Sequence, residues 1–120
     1  MKKKIVVIDD DQDILSILEI ILEEDGFEPV LFNTGLTAQQ ILDVHPDLLL
    51  LDVRIAGCER TGVEICREVK AAEVDLPFSI LLFSSEDDLE ELSISCGADG
   101  YINKPFNIDR FSDKLRKFVT

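Results

Sequence analysis

Asp9, Asp10, Asp52, Ser84 and Lys104 share one circumstance: each stands where a run of apolar residues stops. "KIVVIDD" closes on two acids, "DLLLLD" on one, "SILLFS" on a hydroxyl, and "GYINKP" on a lysine. Carboxylates brought within a few ångströms repel, so either a proton is retained or a cation sits among them. Oxygen donors in this number suit Mg²⁺, which keeps several waters and takes one or two carboxylates plus a phosphate oxygen. A lysine beside them is a point charge for a phosphoryl oxygen, and a hydroxyl donates to another. Together these side chains would place a phosphoryl group on or near a carboxylate. They can do so only if the chain brings them to one edge.

The elements predicted from pattern do this. The continuous apolar runs "KIVVID" and "DLLLLD" suit strands buried on both faces of a parallel sheet. "SILLFS" and "GYINKP" read as two more, and "EPVLFN" as a strand near an edge. Between them lie helical patterns. In "DQDILSILEIILEEDG" the residues Ile14, Leu15, Leu18, Ile21 and Leu22 recur at three- and four-residue steps, with Asp11 and Asp13 as capping acids and Gly26 as the stop. "TAQQILDV" and "GVEICREVKAA" follow the same logic, and "DDLEELSIS" is the weakest helix, turning Leu89, Leu92 and Ser93 inward. "NIDRFSDKLRKFV" opens with the cap Asn107 and is expected to pack Ile108, Phe111, Leu115 and Phe118. Strand and helix alternate five times, which predicts an α/β fold: a three-layer, doubly wound sandwich on a five-stranded parallel sheet, joined by right-handed crossovers. In such sheets ligands bind beyond the carboxyl ends of the strands, and four of the five strands deliver a polar group there.

Bulk properties narrow the function further. The 120 residues fit one domain, residues 1–120, and 46% hydrophobic content is ordinary for a folded chain. Twenty-five acids against twelve bases give −13, which opposes direct binding to nucleic acid or to an anionic membrane. The basic start "MKKK" leads into an apolar run too short for export, and no segment approaches a membrane span, so a cytoplasmic location is expected. Cys58, Cys66 and Cys96 form an odd set without CxxC spacing and read as buried or half-buried thiols in a reducing compartment. The single histidine, His45, precedes Pro46 and reads as a surface loop residue, leaving no basis for a Ser-His-Asp or Cys-His site.

"VVIDDDQDILSILEIILEEDGFEPVLFNTG", "HPDLLLLDVRIAG", "LLFSSEDD" and "GADGYINKPF" together resemble the receiver domain of two-component response regulators, over essentially the whole chain. The resemblance implies a flavodoxin-like fold with strand order 2-1-3-4-5. It implies that Asp52 takes a phosphoryl group from a phosphohistidine on a sensor histidine kinase or histidine phosphotransfer protein, giving an aspartyl phosphate. Asp9, Asp10 and Asp52, with the backbone carbonyl of Arg54, would hold Mg²⁺. Lys104, before a cis bond to Pro105, would contact the phosphoryl group, and Ser84 would donate its hydroxyl to it. Tyr101 would then turn inward and remodel the face of helix four, strand five and helix five, the output being a downstream protein or an effector domain. The half-buried position of an aromatic on an edge strand is an equally simple reading of Tyr101.

Two stretches depart from the family pattern. "RIAGCERTG" carries Ala56 where proline is usual and is longer by two residues, which predicts a looser or reshaped loop beside Asp52. The stretch from Ser84 to "CGADGY" is two residues short, which predicts a shortened helix four or leading loop. A gapless count from Pro77 would put Leu82 in the hydroxyl slot. The register with Ser84 there is preferred, because "ILLF" then forms the buried strand and Ser79 stays out of it. The irregular loops also suit a receiver-shaped interaction module without phosphorylation control. A phosphatase resembling the haloacid dehalogenase family would need a second acid two residues after Asp52, where Arg54 stands, and room for a substrate cap.

Overall fold

The computed structural model describes residues 2–119. β1 (Lys4–Ile8), β2 (Glu28–Phe32), β3 (Leu48–Leu51), β4 (Ser79–Ser84) and β5 (Gly100–Asn103) alternate with α1 (Gln12–Glu24), α2 (Ala38–Val44), α3 (Gly62–Ala72), α4 (Leu89–Cys96) and α5 (Ile108–Phe118). The five strands pair in parallel in the order β2-β1-β3-β4-β5. This is the three-layer parallel sandwich expected from the pattern, with the flavodoxin-like strand order that the resemblance implied.

The run Leu48–Leu51 shows why a strand at the centre of such a sheet has no polar alternation. All four leucines are fully buried: Leu49 and Leu51 join the core under α2, α3 and α4, while Leu48 and Leu50 join the core under α1 and α5. Each such burial stabilises by about 1.5–3 kcal/mol, so a polar residue on either face would be costly.

Local signals start and stop the helices. Asp11 accepts from the N–H groups of Asp13 and Ile14 to open α1, and Thr37 and Thr61 form reciprocal capping boxes with Gln40 and Glu64 at α2 and α3. Asn107 accepts from the Arg110 N–H at α5. Gly97, at φ 79°, ends α4 in the left-handed region that only glycine adopts freely. His45 ends α2 in the same region and is exposed, off any functional edge.

Two packing expectations are corrected. Ile108 does not pack: it is 55% exposed, because the first turn of α5 lies beyond the core, and the buried residues of that helix are Phe111, Ser112 and Leu115. Ser79 is not excluded from β4. It opens the strand opposite Leu48, half-buried at the sheet's amino edge, where its hydroxyl is not cut off from water.

Candidate functional site

The site grows from the strand ends. Val7, Leu50 and Ile102 face the core under α1 and α5, and two residues further along each strand come Asp9, Asp52 and Lys104. Strand alternation therefore aims these three side chains to one side of the carboxyl edge. The backbone still holds them: Asp9 N–H donates to the Phe32 carbonyl at 3.1 Å, Asp52 N–H to Ile8 at 2.9 Å, and Lys104 N–H to Ser84 at 2.9 Å.

Carboxylate oxygens of Asp9, Asp10 and Asp52 all lie within 4.8 Å of one another. Asp9 is fully buried and Asp52 is 6% exposed, whereas Asp10 is exposed. Lys104 Nζ donates to Asp9 Oδ2 at 2.7 Å and stands 3.6 Å from Asp52 Oδ2, so one ammonium faces two buried acids. The other Asp9 oxygen accepts from the Asp11 N–H at 2.9 Å. Asp10 reaches across to the β3–α3 loop and accepts from the Ala56 N–H at 3.0 Å. Lys104 also lies 4.8 Å from the centre of the Phe83 ring, and the Lys104–Pro105 bond is cis.

The titration of Asp52 departs from the ordinary. Burial first, then the charge of Asp9, raise its pKa from 3.8 to about 7, with Lys104 pulling the other way and Asp10 adding to the rise. One lysine is too little charge for three carboxylates. A divalent cation is the donor set's natural complement: hard oxygen ligands, two of them withdrawn from water and one open to it.

Ser84 is the last residue of β4 and is buried, while Leu82 lies inside the strand, paired with Leu51 and Tyr101. Ser84 follows the opposite alternation from Asp52, and its hydroxyl accepts from the Glu86 N–H at 3.3 Å. Tyr101 is half-buried with its hydroxyl donating to Glu90 at 2.7 Å, on the side of α4. Arg54 is exposed and pairs through its side chain with Glu86, bridging the loops that follow β3 and β4.

The long loop after Asp52 is pinned rather than loose. Val53 and Ile55 are buried, Gly57 turns at φ 77°, and the Gly62 N–H donates back to Val53 at 2.7 Å. Arg60 bonds the Leu36 carbonyl at 2.7 Å and pairs with Glu68. Gly62 is required for this closure: a Cβ there would sit 1.9 Å from the Asp52 carbonyl oxygen. No element of the sequence pattern pointed to Arg60, Glu86 or Gly62, since each acts on a partner remote in the chain. α4 is short, with eight residues, and its cap Asp88 makes no side-chain capping bond.

An edge of buried acids answered by one lysine, on a sheet of this order, is the arrangement of a phospho-signalling receiver. The receiver-domain family of response regulators matches residues 5–116, and the chain belongs to that family. Among solved structures, the BeF3-activated receiver domain of DrrB is 28% identical with a TM-score of 0.77, covering 98% of this chain and 97% of that one. DrrB is described as a Thermotoga maritima OmpR/PhoB homologue. NtrX of Brucella abortus is 27% identical with a TM-score of 0.79, and this chain covers 27% of its length. The Vibrio cholerae chemotaxis protein CheY4, 20% identical with a TM-score of 0.80 over 98% of this chain and 99% of that one, shares the fold. No helix among the described residues is long and apolar enough to cross a membrane.

Proposed function

We propose that residues 1–120 form one receiver domain that works as a phosphorylation-dependent switch, with Asp52 as the acceptor. The observation that carries this reading is the gathering of Asp9, Asp10 and Asp52 within 4.8 Å, with Lys104 3.6 Å from Asp52. Asp52 attacks the phosphorus of a phosphohistidine on a sensor kinase or histidine phosphotransfer protein. The P–N bond breaks, its electron pair returns to the imidazole, and an aspartyl phosphate results. Mg²⁺, held by Asp9, Asp10, Asp52 and the Arg54 carbonyl, would supply charge neutralisation for the phosphoryl oxygens. Lys104, already between the two buried acids, neutralises a further oxygen.

Ser84 serves as the hydroxyl donor once the phosphoryl group arrives, since its oxygen only accepts from the Glu86 amide and its O–H remains to donate. Tyr101 then leaves Glu90 and turns inward, altering the face made by α4, β5 and α5. That face acts on a downstream protein or on an effector domain. Incubation with acetyl phosphate and Mg²⁺ followed by intact mass tests the reading. The wild type gains one phosphoryl mass and Asp52→Ala gains none; equal labelling of the variant removes Asp52 from the role.

A further inference from the structure

Two of the three thiols meet in a place the phosphoryl chemistry does not use. Cys66, in the middle of α3, is fully buried, and Cys96, the last residue of α4, is 4% exposed. They lie 30 positions apart in sequence, yet Cys66 Sγ is 3.4 Å from the Cys96 carbonyl oxygen. Cys96 Sγ in turn donates to the Ser93 carbonyl at 3.6 Å, and both thiols are free. Cys58, half-buried, packs against Gly35 on another part of the same layer.

We propose that Cys66 and Cys96 form a reversible intrachain disulfide when the protein meets a peroxide, tying α3 to α4. A bridge demands close Cα and Cβ approach, and here α3 packs against α4 with the Cys66 sulfur already touching the Cys96 backbone. Cys96 begins the reaction. Contact with the Cys66 thiol, the Ala98 N–H and the Arg67 charge lower its pKa against the opposing effect of burial, while the same contact and burial push the Cys66 thiol up and keep it protonated. Its thiolate attacks the peroxide, breaking the O–O bond to give a sulfenic acid and, with one proton, water. Cys66 sulfur then attacks the sulfenyl sulfur, the S–S bond forms, the S–O bond breaks, and the departing hydroxide leaves as water with the Cys66 proton. Two thiols are oxidised by two electrons, and one peroxide is reduced to two waters.

Access follows from where Cys96 sits. It closes a short helix whose amino end lacks a side-chain capping bond and whose carboxyl end meets the exposed, left-handed Gly97. The Gly97 and Ala98 N–H groups close that end on the Ile94 and Ser93 carbonyls at 3.2 and 2.9 Å, so peroxide reaches Cys96 when these bonds open locally, without global unfolding. α4 follows Ser84 and Glu86 along the chain, so the bridge would restrain the segment beyond the acidic edge.

The full chain, in wild-type and Cys58→Ser forms, is treated with hydrogen peroxide, alkylated under denaturing conditions and weighed intact. The expected result is loss of two hydrogen atoms with one alkyl group on the wild type, at Cys58, and none on Cys58→Ser, a peptide joining Cys66 to Cys96 in both, and reversal by dithiothreitol. Free alkylation of Cys66 and Cys96 after peroxide overturns the proposal. So does over-oxidation of Cys96 without a bridge, or a bridge that uses Cys58. No phosphoryl transfer is read, so a failure of Asp52 to label leaves this outcome untouched.

Discussion

Replacing Asp52 by Asn should stabilise the metal-free protein, and the gain should depend on pH in a defined direction. In the unfolded chain Asp52 titrates at its ordinary value of 3.8, while burial and the charge of Asp9 raise the folded value to about 7. Between those values the folded state binds the extra proton, so the wild type loses stability as pH rises through that window. At about 1.4 kcal/mol per pH unit, the whole interval is worth at most ~4 kcal/mol. Asparagine has nearly the same shape and no charge to desolvate. Lys104 keeps its 2.7 Å partner Asp9 in the variant, so little is lost on the other side. Urea unfolding in EDTA should therefore find Asp52→Asn more stable by roughly 2–4 kcal/mol at pH 8, with the difference shrinking toward zero near pH 4. A difference that stays flat with pH, or a wild type that is the more stable at pH 8, would refute the electrostatic account of the site.

Asp10→Ala should abolish Mg²⁺ binding and phosphoryl labelling, yet melt in EDTA no more than about 1 kcal/mol below the wild type, because Asp10 is exposed and loses only its bond from Ala56 while repulsion at Asp52 is relieved. A large loss of stability would mark it as a structural cap. Gly62→Ala should destabilise by more than about 3 kcal/mol and impair labelling, since the new Cβ collides with the Asp52 carbonyl; a melt within error of the wild type would contradict the closure of that loop. A fluorescence titration with duplex DNA at physiological salt should find no saturable binding, given the net charge of −13.

The local sequence determined much of this. Apolar runs ended by Asp9, Asp52 and Lys104 were legible because a strand alternates every residue and a parallel sheet aligns all its carboxyl ends. Asp11 and Asn107 announced helix starts because a capping bond spans only two or three residues. The packing of Ile108 was not decided by periodicity, which gives a face but not whether the core extends as far as that turn. Ser79 likewise depended on where the sheet's amino edge meets water. The raised pKa of Asp52, the clamp from Arg60 to Leu36 and the meeting of Cys66 with Cys96 belong to the tertiary structure alone. Each is a contact or a burial between segments far apart in the chain, and no local pattern encodes the distance between two elements until they pack.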